Sequence, residues 1–466
     1  MKNVSNVLSY LALGIILCTV QLYTLANCPA ITPLVFVSQI LLLGVVLLHL
    51  GMNLFHTQPS FPDASVVVFE IIFLIIAPAI QFAHNAKTLV NTQRLDDTFA
   101  VQSNMIYVVF IASYLGGRFL IPPPHSRGAS RLLSTLKIRY VALIPTLVVC
   151  AIAALSAFQF AQRLQAGDFD GLDITPLELI RRKLFFFLIF PVFVLIVSYR
   201  PRRIGPIWLA LAISAFIFLF LCQNPAIEKR NTLGPIYLTL LALLFRPWLR
   251  SSPRVFWSIF VLSGLFFPVS EIFTHHRVDE WPMPPAAYEN IFAEHFTSTA
   301  YDAWANTEAV VEMVSRDGIA YGKQLAGSLL FFVPHTAWPD KPLATGIVIG
   351  EFLSRNYTMW FFNLSAPLPA EGYLDFSWGG VILYGTLLGY FSRRIDALIE
   401  SAPLSRALGL YLSFYLTFLL RGSLMIAVAY IVPVFLSFQF VSFALTSHGR
   451  KFREAKRAPG RRSTIG

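Results

Sequence analysis

The sequence predicts an all-α polytopic membrane protein, and three observations carry this prediction. Of the 466 residues, 56% are hydrophobic and 13% are charged, whereas a soluble domain carries about 25% charged residues. Apolar runs of about 20 residues, the length that crosses the hydrocarbon core, recur along the chain. Lys and Arg gather in the loops between those runs. These features exclude a disordered chain, a coiled coil and an ordinary cytosolic enzyme.

About twelve spans are predicted on that length criterion. The first has only Lys2 ahead of it and no small-residue cleavage site, so we expect a retained helix and not a secretory signal. Nine spans form a bundle over 1–274, three more form a bundle over 376–446, and 447–466 is a basic cytoplasmic tail. The predicted spans are 5–26, 31–54, 64–84, 100–121, 138–161, 183–199, 206–222, 232–248, 255–274, 376–392, 405–420 and 424–446.

The charged loops predict the orientation. With the N-terminus inside, the outer loop 162–180 is acidic, and an even number of spans places both termini in the cytoplasm. The net charge of +11 is then explained by inner loops and not by a nucleic-acid surface. The basic residues of the predicted inner loops are Arg127, Arg131, Lys137, Arg200, Arg202, Arg203, Arg246, Arg250, Arg254, Arg393, Arg394 and Arg406.

Some cations fall on the predicted outer side, against this rule. They are Arg181 and Arg182 near the sixth span, Arg230 before the eighth, and Arg421 between the last two spans. Each taken alone could be a snorkelling side chain, or a local pair such as Glu228 with Arg230. Because several occur on one face, we favour a functional role in binding an anion.

Residues 275–375 form the one long loop between predicted spans, on the outer side. A helix is predicted from about 300 to 315, where Val310, Val311 and Val314 leave a broken apolar face. Residues 325–334 are apolar but too short to span, so they predict a re-entrant or interfacial helix.

Two polar segments of this loop carry candidate site residues. Val333–Pro342 reads Val-Pro-His-Thr-Ala-Trp-Pro-Asp-Lys-Pro, in which three prolines stiffen the backbone around His335, Trp338 and Lys341. Ser365–Tyr373 leads directly into the tenth span. Its Glu371 is either an interfacial acid or a catalytic or substrate-binding carboxylate.

These segments are similar to the long periplasmic loop of Wzy-type O-antigen and oligosaccharide-repeat-unit polymerases. In that family a Pro-Arg, an aromatic-Pro and a Lys-Pro recur in this order, although His335 stands here where many relatives have Arg. Arg230, immediately before a span, also resembles the family. The similarity continues through Ser365, Pro367, Glu371, Tyr373, Phe376, Gly379, Gly380, Gly385 and Gly389.

The resemblance implies a GT-C-like helical fold in a bacterial inner membrane, with the active site on the periplasmic face. It also implies a metal-independent, inverting transfer of a growing glycan from undecaprenyl diphosphate onto a lipid-linked repeat unit, without a cofactor. The expected partners are undecaprenyl-diphosphate-linked oligosaccharides, membrane lipids and a chain-length-regulating co-polymerase, with no nucleic acid.

The chemistry of this reaction suggests a role for each candidate residue. Guanidinium groups bind a diphosphate bidentately and stay charged, which suits Arg181, Arg182, Arg230 and Arg421, with Lys341 as a point charge. His335 or Glu371 would accept the acceptor's proton. Trp338 and Tyr373 could stack on sugar rings, although aromatic residues also anchor helices at the membrane surface.

Rival functions remain open. An O-antigen ligase shares the architecture but transfers the glycan to lipid A core. A flippase or other transporter would carry charges at mid-membrane depth, where the sequence indicates only Glu70. A membrane acyltransferase lacks its expected histidine signature here. The acidic string Asp168-Phe169-Asp170 is interpreted as a solvated loop, so no metal site is predicted.

Overall fold

The computed structural model describes residues 2–28, 31–84, 96–120, 176–198, 203–224, 230–266 and 295–457, with a few isolated positions between 147 and 155. Most of the fifth predicted span (138–161), the acidic loop before Pro176, the start of the long loop and the last tail residues lie outside the described part.

The described residues form helices and no strand. The long apolar sequences adopt helices because lipid offers no partner for exposed backbone polar groups. The helices are α1 (Lys2–Asn27), α2 (Pro33–Phe55), α3 (Phe61–Ala83), α4 (Asp97–Phe119), α5 (Pro176–Ser198), α6 (Pro206–Cys222), α7 (Arg230–Leu244), α8 (Ser252–Val261), α9 (Ala303–Asp317), α10 (Lys323–Leu329), α11 (Thr345–Asn356), α12 (Leu368–Ile399), α13 (Pro403–Arg421) and α14 (Leu424–Arg457).

Within the described part, six helices are long and apolar enough to cross a membrane. They are α1, α2, α3, α4, α13 and the apolar part of α14, which correspond to six of the predicted spans. The shorter apolar helices α5, α6 and α7 correspond to three more. The protein is therefore polytopic, while the count of twelve and the GT-C-like arrangement stay predictions.

Several boundaries differ from those predicted. α14 continues past 446 to Arg457, so part of the expected tail is helical. α7 ends at Leu244, before the predicted end at 248. α12 begins at Leu368, inside the expected loop, and is sharply kinked at Phe376 and Ser377. The kink arises because Ser377 has a positive φ of 54°, which a helix does not accommodate.

α9 lies where the sequence predicts a helix, but its packing differs from that of a half-exposed amphipathic helix. All of its residues from Ala303 to Met313 are buried, polar ones included. The Trp304 indole N–H donates to Asn104 of α4 at 2.8 Å, and Tyr107 shares a 2.6 Å hydrogen bond with Thr307. The long loop thus supplies a helix to the core of the bundle.

α4 and α12 cross at close range because small residues face each other. A Cβ built on Gly385 would lie 2.6 Å from the Phe110 carbonyl oxygen, and one on Gly389 would collide with the Tyr114 carbonyl oxygen. Gly117 of α4 meets Thr386 in the same way. Small residues let membrane helices approach until their backbones touch.

We expect Gly389→Ala to destabilise the fold. Overpacking costs about 1–3 kcal/mol, which exceeds the gain of about 1 kcal/mol in helix propensity. Thermal unfolding of the purified protein in detergent measures the effect. Gly379→Ala on the same helix is the control, because a Cβ there meets nothing within 4 Å. Equal stability of the two variants would contradict the close crossing.

A buried ion network joins α3, α4 and α12. Arg118 Nε lies 2.6 Å from Asp63, and its Nη2 lies 2.5 Å from Asp396. Tyr114 donates a 2.5 Å hydrogen bond to Asp63. The sequence indicated Glu70 alone as a membrane charge, so this network is a finding of the structure.

A second buried pair lies beside this network. His49 Nδ1 of α2 is 2.9 Å from the Glu70 carboxylate, and both residues are almost fully buried. Glu70 begins a π-helical stretch, Glu70–Ile76, in the middle of α3. π-Helical insertions are frequent at functional positions.

Candidate functional site

The turn between α13 and α14 contains the first candidate residue, Arg421. The Arg421 side chain is 29% exposed. Its Nη2 donates to the Thr299 carbonyl oxygen at 2.8 Å and lies 3.5 Å from Asp302 Oδ1. Its Nε has no hydrogen-bond partner within the described residues. This Nε is itself buried, so an incoming anion could meet only the exposed part of the Arg421 side chain.

Asp302, at the start of α9, organises the surroundings of Arg421. Its carboxylate accepts the Ser365 hydroxyl at 2.5 Å, the Ser365 backbone N–H at 3.1 Å and the Asn306 amide at 2.8 Å. The sequence analysis did not select Asp302. It falls inside the helix predicted from about 300 to 315, whereas in the structure it lies immediately before that helix begins at Ala303.

Glu371 comes to the same turn from α12. It is 1% exposed and accepts hydrogen bonds from the Ser423 hydroxyl at 3.1 Å and from the Leu424 backbone N–H at 3.0 Å. Leu424 is the first residue of α14, and a carboxylate at a helix N-terminus is favoured by the unpaired N–H groups and the helix dipole. The structure thus brings together Glu371 and Arg421, which are distant in sequence.

Burial raises the pKa of Glu371 to about 8, although the donors from Thr345, Leu424 and Ser423 oppose the shift. This carboxyl lies ahead of the kink in α12 and before the predicted span. A pKa near the working pH is the property that a proton-transfer group needs. The Glu371 carboxyl can therefore hold a proton at neutral pH and release it when the pH rises above about 8.

The raised pKa predicts a pH dependence of stability. The ordinary value is 4.5, so the folded protein binds a proton that the unfolded chain releases between that pH and about 8. Stability is therefore lost as the pH rises through this window. Glu371→Gln lacks the titration and should gain stability relative to the wild type from pH 5 to pH 8, measured by thermal unfolding. The exposed Glu351→Gln is the control; parallel profiles for wild type and Glu371→Gln would contradict the shift.

Tyr373 lies on the same short segment as Glu371. It is buried, its hydroxyl bonds to the Gln102 amide of α4, and its ring packs edge-on against Trp378 at 5.6 Å. The stacking face expected for a sugar is therefore partly occupied by protein contacts.

Asp375, which the sequence analysis did not select, anchors α10. Its two carboxylate oxygens accept the backbone N–H groups of Gln324 and Leu325 at 3.0 and 2.9 Å, and Tyr384 donates a further 3.0 Å bond. The N-cap residue of α10, Gly322, has no side chain that could cap the helix, so the Asp375 carboxylate supplies the cap from a distant part of the sequence.

The proline-rich turn of residues 334–342 lies beside this site. Lys341 Nζ donates to the carbonyl oxygens of Phe331 and Val333, and partial burial lowers the Lys341 pKa. His335 is exposed and Trp338 is half-buried. Lys341 therefore closes the turn, and of the three candidate residues in it His335 is the exposed one.

Pro342 attaches this turn to the site. A Cβ built on Gly327 of α10 would collide with the Pro342 ring and with the Met425 side chain of α14. The ring and the Met425 side chain therefore both pack directly against Gly327. Thr345, three residues on, hydrogen-bonds toward Glu371 and Gln324. The turn is thus held next to the residues that follow Arg421.

The remaining candidate cations lie at the same end of the bundle, in the first turns of α5 and α7. Arg181 and Arg182 fall inside α5, which begins at Pro176. The neighbouring Lys183 places its Nζ 4.7 Å from the Tyr430 ring, and Phe190 contacts Phe438, so α5 and α14 run in parallel from one end. Arg230 is the first residue of α7.

The described residues contain no group of three His, Cys, Asp or Glu side chains that could hold a metal ion. No protein-family model, no curated protein and no solved structure matches the chain.

Proposed function

We propose that this protein is a membrane-embedded polysaccharide polymerase, which transfers a growing glycan from undecaprenyl diphosphate onto a lipid-linked repeat unit. The observation that supports this most directly is the Arg421 guanidinium. It is partly exposed and stands beside the turn that receives Glu371. The lipid would be that of a bacterial inner membrane, with the site on the periplasmic face.

The proposed reaction assigns each group one task. The acceptor hydroxyl attacks the anomeric carbon as the bond from that carbon to the diphosphate oxygen breaks, so the configuration inverts. The hydroxyl proton passes to Glu371 or to His335, and the lipid diphosphate leaves with the bonding electron pair. Arg421, with Arg230, Arg181 and Arg182 from the same end of the bundle, would stabilise the charge on the leaving group.

A transporter of lipid-linked oligosaccharides is the second candidate. The buried His49–Glu70 pair, in the middle of α2 and α3, favours it, since charges at mid-membrane depth commonly serve transport. A lipid-flip assay in proteoliposomes separates the two: a transporter moves the glycolipid without changing its glycan length, whereas a polymerase lengthens it.

An in vitro assay tests the proposed polymerase. Purified protein is incubated with a defined lipid-linked repeat unit, with and without a chelator, and the products are resolved by glycan length. We expect lengthened glycan in both conditions. Unchanged substrate under both conditions contradicts the polymerase, and activity lost only with chelator contradicts a metal-independent reaction.

Variants of Arg230 test its assignment to the diphosphate in the same assay. Arg230→Ala should lose most activity and Arg230→Lys should keep a part, because Lys retains charge without the bidentate fork. If both polymerise normally at equal protein level, Arg230 does not bind the diphosphate.

An O-antigen ligase is distinguished in a deletion strain. Loss of a polymerase leaves core carrying a single repeat, whereas loss of a ligase leaves bare core.

A further inference from the structure

The opposite end of the bundle contains an apolar cleft that the proposed reaction does not use. The cleft has a volume of about 520 Å³ and is enclosed by α3, α7, α8 and α13, a size typical of small-molecule sites. Apart from Ser258, every residue that lines it is hydrophobic, including Leu238, Ala242, Ile259 and Phe414. This lining suits a hydrocarbon chain.

The cleft opens on the outer surface of the bundle. Leu241, Phe245 and Trp248 line it and are 41%, 53% and 50% exposed. They follow one another along the end of α7 and the turn after it. A chain entering from the surrounding bilayer could therefore reach the cleft without unfolding any helix.

Cations surround the mouth of this cleft. Arg246, Arg250 and Arg254 are exposed and alternate in sequence with the lining residues Phe245, Trp248, Leu249 and Val255. The Arg254 guanidinium carbon lies 5.7 Å from the centre of the Trp248 ring, and its Nη1 donates to the Trp248 carbonyl oxygen at 3.2 Å. The positive charges thus stand beside the apolar entrance.

These charges are not neutralised by the protein across the described ranges. None of the ion pairs found there involves Arg246, Arg250 or Arg254. Arg406, at the start of α13, adds a further cation close enough to Arg246 for the two to repel each other. The excess of Lys and Arg in cytoplasmic loops, which sets the orientation of membrane helices, explains why this loop is basic. It does not explain why an apolar cleft lies beneath the loop.

We propose that this cleft binds an anionic glycerophospholipid. One acyl chain lies between Ala242, Ile259 and Phe414, and the headgroup phosphate lies among Arg246, Arg250 and Arg254. Trp248 stands at the level where chain and headgroup meet, a position that indole rings favour in membranes. Basic pockets between membrane helices bind anionic headgroups by this combination of charge and apolar burial. The site is independent of the polymerase proposal, because the cations at its mouth lie beside Arg406 near the start of α13, whereas Arg421 ends that helix.

Brominated lipids test the site, because bromine quenches a tryptophan that it contacts. The full chain is placed in phosphatidylcholine nanodiscs that contain an equal mole fraction of dibrominated phosphatidylglycerol or dibrominated phosphatidylcholine. The sequence has 8 Trp, so the Trp248 signal is the difference between wild type and Trp248→Phe. We expect brominated phosphatidylglycerol to quench Trp248 several times more strongly. Equal quenching by both lipids would overturn the proposal.

Variants separate the headgroup from the chain. Arg254→Gln should lower the preference for phosphatidylglycerol about fivefold, the effect of one cation near an anionic surface. Arg355→Gln, exposed on α11, should leave it unchanged. Ala242→Phe fills the cleft and should abolish the preferential quenching while the protein keeps its elution volume. If Arg254→Gln keeps the full preference, or if Ala242→Phe instead converts a dimer to a monomer, the occupant is not an anionic lipid.

Discussion

Replacing Arg421 by Gln should reduce glycan transfer about a hundredfold or more, because a lost charge-stabilising donor costs catalysis about that much. Gln removes the positive charge and the planar guanidinium donors of Arg421. The protein retains the Asp302–Ser365–Asn306 hydrogen bonds, which do not pass through Arg421. The measurement is the initial rate of glycan lengthening by purified protein at equal concentration.

Two further variants decide whether this loss is chemical or structural. Arg421→Lys should recover part of the rate, since it restores the charge without a planar fork. Arg355→Gln removes an exposed arginine elsewhere in the long loop and should leave the rate unchanged. A low rate of Arg421→Gln accompanied by a matching fall in unfolding temperature would assign Arg421 to folding instead of to the diphosphate.

Replacing Arg118 by Gln should destabilise the protein by about 3–5 kcal/mol, the cost of breaking a buried ion pair on one side. Asp63 and Asp396 would then face each other without their shared cation. The side chain of Asp63 is 5% exposed and that of Asp396 is 26% exposed, so water screens the repulsion only in part. Unfolding temperature or proteolytic susceptibility in detergent measures the loss.

A double-mutant cycle shows whether the effect comes from the pair. Asp63→Asn combined with Arg118→Gln should cost less than the sum of the two single variants, because the second change removes the uncompensated charge left by the first. Arg355→Gln, at an exposed arginine outside the network, should change stability by less than about 0.5 kcal/mol. Additive losses in the cycle would show that the two residues act separately.

The network around Arg118 also illustrates why part of this molecule could not be predicted. Arg118 looks like an ordinary basic residue at the end of an apolar run, and Asp63 and Asp396 each resemble loop acids. Arg118 reaches Asp396 because α4 and α12 cross closely at Gly385 and Gly389, and Asp63 reaches Arg118 from α3. No spacing of residues along the chain predicts that these three side chains come into contact.

The candidate site divides in the same way. Glu371 and Arg421 were selected for their residue types and their place beside predicted spans, and the structure brings them to one turn. Asp302 and Asp375 were not selected, because a carboxylate that binds a distant serine or a distant helix start has no local signature. Lys341 was expected to offer a point charge, but it binds the carbonyl oxygens of its own turn.

The amino-acid sequence alone determined that this is a helical membrane protein, because apolar runs of spanning length can satisfy their backbone in lipid only as helices. It also determined the helix now seen at Ala303–Asp317, since apolar side chains recur there at helical spacing. The tertiary structure decided that this helix is buried, that α12 bends at Ser377, and which carboxylate meets which helix end. Those outcomes depend on contacts between residues far apart in the chain, and such contacts follow from close packing and not from local pattern.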